Sequence, residues 1–311
     1  MCILVSGSVA LDHIMVFPDR FRNHILPDKL HILNVAFNIE RLDTHFGGVA
    51  GNIAYHLRLL GEEPRILATV GSDFGAYAEW LDRHGIDRSG ILVLGDVRTA
   101  QGFVTTDLDD NQIWAFYEGA MARAHEARAE RHADAARLAI VSSNGKQAML
   151  EHARVLKARG VPTFVDPSHG LPLLSREELR ELIDGSAGYF VNDYELSLTL
   201  ERAALDEDEL CLRTGALIVT EGEKGSRIRE GGRSHRIPAV TARRVADPTG
   251  CGDAYRAGLL YGRARGHAWE TAGRIGSLLG SLQVETAGTQ NLRFATGEFL
   301  ERFAREFGES L

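Results

Sequence analysis

Short apolar runs alternate along the chain with amphipathic segments in which apolar positions recur at the helical period. The apolar runs predict strands at residues 3–7, 65–70, 138–142, 163–166, 188–192 and 216–220. The amphipathic segments predict helices at residues 52–60, 77–84, 147–158, 175–183 and 195–200. Strands that alternate with helices are typical of a parallel sheet covered on both faces. We therefore predict a doubly wound α/β fold with a mainly parallel sheet.

Two stretches interrupt this alternation, at about residues 13–45 and 97–118, where strand-like segments occur without a clear helix. In the second stretch Asp109, Asp110 and Asn111 separate two β segments, and these residue types favour a hairpin turn. We predict that the two stretches form a small β-sheet lid on a single domain spanning residues 1–311. Three aromatic residues of the lid could either stack on a planar ligand or pack against the body of the domain: Phe37, Phe103 and Phe116.

The composition argues against several classes of protein. A net charge of −8 over 311 residues disfavours a nucleic-acid partner, because a polyanion would be repelled. No apolar stretch approaches the roughly 18 residues that a membrane span needs, and the first residues resemble a buried strand rather than a signal peptide. Cys2, Cys211 and Cys251 lack the spacing of a zinc site or a disulfide framework. We expect a cytoplasmic protein.

The most informative motif is DPTGCGDA at residues 247–254. Gly250 and Gly252 allow a tight loop whose N–H groups can converge on an anion. Residues 254–260 predict a helix that would direct its positive amino end at the same point. Asp253 lies at this junction, where it could be a plain helix cap or a carboxylate that accepts a proton beside the anion. The spacing matches neither a Walker A loop nor a dinucleotide-binding fingerprint.

Four polar side chains follow predicted strands, where ligands bind in parallel sheets: Asp12, Asp166, Asn192 and Thr220. Each also has a structural interpretation. Asp12 could simply form a turn, and Asn192 with Glu195 has the spacing of a helix capping box.

With GSVALD at residues 7–12 and GGVAGN at residues 47–52 also in view, the chain resembles the ribokinase-like (PfkB) family of small-molecule kinases. The segments at residues 46–55, 192–195, 247–258 and 285–290 are similar to those of bacterial-type adenosine kinases. The resemblance implies a ribokinase-like α/β domain with a β lid. It also implies ATP-dependent phosphorylation of a hydroxymethyl group, with adenosine as the expected acceptor and ATP and Mg²⁺ as cofactors.

The resemblance also implies roles for individual residues. Asp253 would be the general base for the 5′-hydroxyl, and the amides of Gly250, Cys251 and Gly252 would form the anion hole. On the acceptor side, the implied binding residues are Ser8, Asp12, Gly48, Asn52 and Asp166, with the three lid aromatics. On the ATP side, they are Asn192, Thr220, Gly222, Gly225 and Gly288, with Glu195 placing the metal through water.

Two departures from that subgroup leave the acceptor open. The aromatic Phe103 is displaced by one position, and His169-Gly170 stands where polar amides are expected. Both fall where a base would be recognised. Another ribonucleoside, or a free sugar such as ribose or fructose, is the alternative acceptor, and a non-catalytic nucleotide- or sugar-binding regulator is the alternative of another class. We also expect a homodimer formed through the lid, because exposed strand edges pair readily.

Overall fold

The computed structural model describes residues 1–25, 31–32 and 34–311, and their strands form two sheets. In chain order the strands are β1 (Cys2–Ser6), β2 (Ala10–Val16), β3 (Arg41–Gly47), β4 (Pro64–Val70), β5 (Asp87–Val93), β6 (Ala100–Thr106), β7 (Gln112–Tyr117), β8 (Ala136–Ser142), β9 (Thr163–Asp166), β10 (Gly188–Asn192), β11 (Leu217–Thr220), β12 (Ser226–Glu230) and β13 (Arg233–Ile237). The α-helices are α1 (Val49–Leu59), α2 (Gly75–Arg83), α3 (Lys146–Ala158), α4 (Arg176–Ile183), α5 (Asp193–Ala203), α6 (Glu207–Arg213), α7 (Cys251–Ala264), α8 (Trp269–Val284) and α9 (Thr296–Phe307).

The larger sheet has the strand order β13-β12-β11-β10-β9-β8-β1-β4-β5. The pairs from β11 to β5 are parallel, and β12 runs antiparallel to both of its neighbours. Its central strands are buried along their length, which explains why they appear in the sequence as continuous apolar runs. The prediction of a mainly parallel sheet is confirmed.

Helices cover both faces of this sheet, as a doubly wound fold requires. On one face Ile53 of α1, Leu259 of α7 and Leu278 of α8 belong to one buried cluster. On the other face Leu156 of α3 and Leu179 of α4 belong to a second buried cluster. Burying both faces of the sheet is what stabilises strands this apolar.

The smaller sheet has the order β3-β2-β6-β7, with β2 antiparallel to β3 and parallel to β6. Strands β6 and β7 form the predicted hairpin. Its turn is stabilised by Asp107, whose carboxylate accepts hydrogen bonds from the backbone N–H groups of Asp109 and Asn111, both at 2.9 Å. Asp110 in this turn has a positive φ of 60°. All the residues of β7 are exposed, so one edge of this sheet is open to solvent.

The larger sheet brings the carboxyl ends of β1, β8, β9, β10 and β11 side by side along one edge. Ser8 follows β1, Asp166 ends β9, Asn192 ends β10 and Thr220 ends β11. Residues that are far apart in the sequence therefore lie together at the carboxyl ends of the parallel strands. The small sheet begins at the same end of the larger sheet, with Ala10 of β2.

Candidate active site

The amino end of α7 forms the centre of the site. The helix begins at Cys251, three residues earlier than the sequence pattern predicts, and Gly250 precedes it with a φ of 77°. A side chain at Gly250 would also collide with Thr289, because its Cβ would lie 2.9 Å from the Thr289 Cγ2. Among the residues that the structure describes, the N–H groups of Gly252 and Asp253 have no backbone acceptor. This helix end therefore presents unused donors and the positive end of its dipole.

Asp253 lies in the first turn of this helix and is partly buried. Its Oδ2 accepts a hydrogen bond of 2.8 Å from the Nδ2 of Asn52 in α1. Removal from water raises the pKa of Asp253 to about 6, although the positive charge of Arg256 and the Asn52 hydrogen bond oppose the rise. A carboxylate with this pKa is ionised at neutral pH but can still accept a proton during a reaction.

Arg256, one turn further along α7, forms a buried ion pair with Asp166. Its Nη2 donates to the Asp166 Oδ1 at 2.8 Å, and its Nε lies 2.5 Å from Oδ2. A side chain at Gly252 would clash with this guanidinium, since its Cβ would lie 2.7 Å from the Arg256 Nη1. Asp166 is only 1% exposed. Asp166, predicted to bind substrate, therefore holds the Arg256 guanidinium, whose positive charge acts on Asp253.

Asp12 lies in the small sheet between two glycines. It pairs with His45 on β3 and with Gly102 on β6. A Cβ at Gly47 would lie 2.0 Å from the Asp12 Oδ2, so only glycine leaves room for this carboxylate. Burial raises the pKa of Asp12, and the neighbouring His45 and His13 oppose that rise.

Ser8 and Gly48 shape the start of α1. The Ser8 Oγ accepts a hydrogen bond of 3.0 Å from the backbone N–H of Val49. Gly48 has a φ of 84°, and a Cβ there would lie 2.5 Å from the Ser8 carbonyl oxygen. These contacts alone explain why serine and glycine occupy the two positions. The acceptor contacts predicted for Ser8 and Gly48 would be additional roles.

At the other end of the edge, Asn192 and Glu195 form a reciprocal capping box on α5. The Asn192 Oδ1 accepts from the Glu195 N–H at 2.7 Å, and the Glu195 Oε2 accepts from the Asn192 N–H at 2.8 Å. The Thr220 hydroxyl donates to the Val191 carbonyl at 3.5 Å. Next to it, Gly222 and Gly225 have positive φ values of 58° and 90°. These residues, predicted to bind ATP, lie at the carboxyl ends of β10 and β11 or in the segments that follow them.

The segment after α8 is tied to the DPTGCGDA loop. Asp247 accepts hydrogen bonds of 2.9 Å from the N–H groups of Gly288 and Thr249. The buried Gln283 amide donates to the carbonyl oxygens of Thr249 and Gly288. Gly288, predicted to lie near the adenine of ATP, is therefore adjacent to the loop that contains Gly250.

The three lid aromatics do not lie together. Phe37 packs against Phe17 and Phe21, at ring-centroid distances of 4.8 Å and 5.0 Å. Phe103 stacks on His13 at 4.7 Å, on the face of the small sheet opposite Asp12. Phe116 pairs with Gly102, is 53% exposed and shares the Asp12 face. Of the three, Phe116 is the one that pairs with the same residue, Gly102, as Asp12 does.

The structure adds residues that sequence reasoning did not identify: Arg256, Tyr77, Trp80, Gln283 and Gln290. Arg256 and Gln290 do fall inside the quoted motifs at residues 247–258 and 285–290, so the motifs contained a signal for these two. His169 is exposed beside this site and follows Ser168, whose φ of 42° is unusual for a residue with a side chain.

Two features are absent from the described residues 1–25, 31–32 and 34–311. Neither a group of three or more histidine, cysteine, aspartate and glutamate side chains arranged to hold a metal, nor a helix with the length and apolarity to cross a membrane, occurs there.

Comparison with known proteins gives one consistent result. Residues 9–295 match the model of the pfkB family of carbohydrate kinases. A nucleoside kinase of Methanocaldococcus jannaschii is 31% identical over 290 residues, which cover 93% of this chain and 92% of that protein. A nucleoside kinase of Burkholderia thailandensis, solved in complex with inosine, is 42% identical, with a TM-score of 0.91 and complete coverage of both chains. The same kinase in complex with ADP-inosine superimposes with a TM-score of 0.88, at 45% identity over 99% of this chain and 97% of that one.

Proposed function

The chain belongs to the pfkB family of carbohydrate kinases, and from that premise we propose that it transfers the γ-phosphoryl group of ATP to the 5′-hydroxyl of a purine ribonucleoside. Adenosine is the acceptor expected from the sequence. Inosine stands beside it, because a relative with 42% identity was solved with inosine bound.

One observation supports this proposal above the others: a carboxylate with a raised pKa beside the unused amides of a helix amino end. The amides offer a negatively charged phosphoryl group a site where its charge is compensated. The carboxylate offers a nearby alcohol a proton acceptor. A regulator that only binds nucleotide or sugar would not need Asp253 in this place, so the non-catalytic alternative is disfavoured.

In the proposed reaction, Asp253 accepts the proton of the acceptor hydroxyl as the new O–P bond forms and the bond to ADP breaks. Its Oδ2 is occupied by Asn52, so Oδ1 is the oxygen that faces the acceptor. Because phosphoryl transfer has a loose transition state, the hydroxyl needs little activation until late in the reaction. Positioning by Asp253 and charge compensation by the loop at residues 250–253 therefore contribute more than basicity.

Asp12 is proposed to hold the ribose of the acceptor. Its carboxylate can accept hydrogen bonds from both hydroxyls of a cis-diol. The cramped position between Gly47 and Gly102 fixes the carboxylate, so a bound sugar loses little to side-chain ordering.

The residues predicted to bind ATP fit a Mg²⁺ ion that binds together with the nucleotide. Mg²⁺ commonly keeps several waters and binds through one or two carboxylates and substrate phosphates. Glu195 has one carboxylate oxygen in the capping box, and among the described residues its Oε1 has no partner, so it can hold a metal-bound water. Bound there, Mg²⁺ would neutralise charge on the phosphates of ATP.

We also propose that the small sheet forms a lid and a homodimer interface. Strand β7 is an open edge with four exposed apolar side chains: Ile113, Trp114, Phe116 and Tyr117. An open edge of this kind favours pairing with another strand, and a second copy of the chain offers the same edge.

The test of the function is ADP release from ATP in the presence of adenosine, inosine, guanosine, cytidine, uridine, ribose or fructose. We expect adenosine or inosine to give the highest kcat/KM, and no release without an acceptor. Asp134→Asn serves as the matched control. This exposed aspartate precedes β8, at the amino ends of the parallel strands and therefore at the opposite end from the site. Preference for a free sugar would replace the nucleoside proposal with the sugar alternative.

A further inference from the structure

A continuous chain of hydrogen bonds, buried at its centre and partly buried at both ends, links Trp80 to the carboxylate of Asp253. The Trp80 indole Nε1 donates to the Gln290 Oε1 at 3.0 Å. The Gln290 Nε2 donates to the Asn52 Oδ1 at 3.1 Å, and the Asn52 Nδ2 donates to the Asp253 Oδ2 at 2.8 Å. The chain joins α1 and α2 to α7 and the segment after α8, with sequence separations of 201 to 238 residues.

The direction of this chain is determined by chemistry. An indole N–H can only donate, whereas each carboxamide has one end that donates and one that accepts. Trp80 therefore requires the oxygen of Gln290, which turns the Gln290 nitrogen towards Asn52. Asn52 must then present its oxygen to Gln290 and its nitrogen to Asp253. The indole of Trp80, which can only donate, and the ionised carboxylate of Asp253, which can only accept, thus favour the same orientation of both amides.

A side branch through Tyr77 completes the arrangement. The Gln290 Nε2 donates its second proton to the Tyr77 Oη at 2.6 Å, and the Tyr77 hydroxyl donates to the Gly47 carbonyl at 2.9 Å. Gln290 is 3% exposed and Tyr77 is 1% exposed, so water does not replace these partners easily. Turning the Gln290 amide round would leave buried polar atoms without partners, which is costly.

Gly51 shows how tightly this chain is packed. A Cβ at this position would lie 2.0 Å from the Tyr77 Oη and 3.0 Å from the Gln290 Nε2. The third glycine of the GGVAGN segment therefore leaves space for the hydrogen bond between these two side chains.

We propose that Trp80 and Gln290 are positioning residues for Asp253: they lock the Asn52 amide so that it donates to Oδ2 and leaves Oδ1 to take the acceptor proton. This inference rests on the proposed function. A reversed Asn52 amide would place its oxygen against the carboxylate, which favours the protonated acid and so raises the pH at which Asp253 can accept a proton.

The expected consequence is a change in the pH at which Asp253 ionises. The charged and titratable groups around it are Arg256, Asp166, His169 and Cys251. Arg256 and His169 lower the pKa of Asp253 and Asp166 raises it, as does burial. None of these groups is altered when the amide chain is changed at Trp80, so a shift reports the hydrogen bond from Asn52.

Two variants test the proposal. Trp80→Phe keeps an aromatic ring against Phe46 but removes the N–H. Gln290→Glu is isosteric, and its carboxylate would accept from both Trp80 and Asn52 and so turn the Asn52 amide round. For Trp80→Phe we expect the acid limb of kcat/KM to move up by about one pH unit, from about pH 6 to about pH 7, which is a loss of about fivefold at pH 6 and about tenfold at pH 5. At pH 9 kcat should be within about twofold of wild type with the acceptor KM unchanged, and Gln290→Glu should show a larger shift.

Trp269→Phe is the matched control, because this indole lies at the start of α8 beside Phe164 and Arg263, away from Asp253. Its pH profile should equal that of wild type. An unshifted acid limb in Trp80→Phe and Gln290→Glu, or a loss of equal size at all pH values, would overturn the positioning role. An NMR titration of the Asp253 carboxyl carbon measures the pKa of Asp253 directly and needs no enzyme activity. It therefore tests the positioning role separately from the proposed kinase function. A raised pKa in Trp80→Phe supports the positioning role even if every acceptor fails in the kinase assay.

Discussion

Asp253→Asn is the substitution with the clearest expected outcome, because it should reduce activity and stabilise the fold at once. The asparagine oxygen can still accept from Asn52, so the local geometry is kept. The variant cannot take a proton. A general base contributes about 10²–10⁴-fold to a rate, and the loose transition state places the effect at the lower end, at roughly 10²–10³-fold in kcat. ATP should still bind, since the amides of the loop at residues 250–253 are unchanged.

The gain in stability follows from the raised pKa. Burial moves the pKa of Asp253 from 3.8 to about 6. Below pH ~4 the carboxyl is protonated in the folded and unfolded states, and it costs nothing. As the pH rises through about 6 the folded state must ionise a buried group, and stability is lost. About two pKa units correspond to about 3 kcal/mol, and because the side chain is only partly buried we expect a cost of about 1–3 kcal/mol above pH 7.

Asparagine carries no charge, so the variant should avoid this cost. Thermal unfolding at pH 8 should give a Tm roughly 2 °C or more above that of wild type, and the difference should vanish near pH 4. Single-turnover phosphoryl transfer and ATP titration complete the comparison, with Asp134→Asn as control. Turnover within tenfold of wild type would remove Asp253 as the base, and a lower Tm at pH 8 would contradict the buried-charge reasoning.

Three further predictions concern the rest of the site. Asp12→Ala should weaken acceptor binding by about tenfold to a hundredfold through lost charge-assisted hydrogen bonds, while ATP binding changes by less than about twofold; equal losses in titration calorimetry would refute the assignment. Gly250→Ala forces a φ of 77° on a side chain that meets Thr289, so kcat should fall at least about tenfold and Tm should drop; wild-type values of both would contradict it. Light scattering at micromolar concentration should give a dimer mass, and a monomer mass would remove the interface proposed at β7.

The apolar pattern predicts the centre of the fold well and its margins poorly. Buried strands such as β8 and β10 are visible because both faces are covered, which makes every position apolar. Strands β12 and β13, the last two strands at one end of the larger sheet, were missed because only Ser226 and Ile228 of β12 and Ile237 of β13 are buried. In β12, for example, Ile228 stands between Arg227 and Arg229, which pair with Glu207. A strand in which only alternate residues are buried lacks the continuous apolar run that makes a strand visible in the sequence.

The start of α7 shows a different limit. Glycine and cysteine are weak helix formers, so the pattern places the helix start at residue 254 rather than at Cys251. The tertiary contacts of Gly250 and Gly252 with Thr289 and Arg256 override that preference. Asp253 is therefore inside the first turn, where its carboxylate can reach Asn52.

The residues around Asp253 also include some that the sequence predicts and some that it does not. Motif resemblance identified Asp253 and Asn52, because each stands in a short local segment. The chain from Trp80 through Gln290 could not be found, since its members are separated by 210 positions and no local pattern links them. Such contacts depend on how α1, α2 and α7 pack together, which is a property of the folded chain.

The most direct measurement is a crystal structure with an unreactive ATP analogue, Mg²⁺ and inosine. The terminal phosphate should lie against the amides of Gly252 and Asp253, with the inosine 5′-hydroxyl within hydrogen-bonding distance of the Asp253 Oδ1. A terminal phosphate bound elsewhere, with the amides at the start of α7 contacting only solvent, would contradict the account.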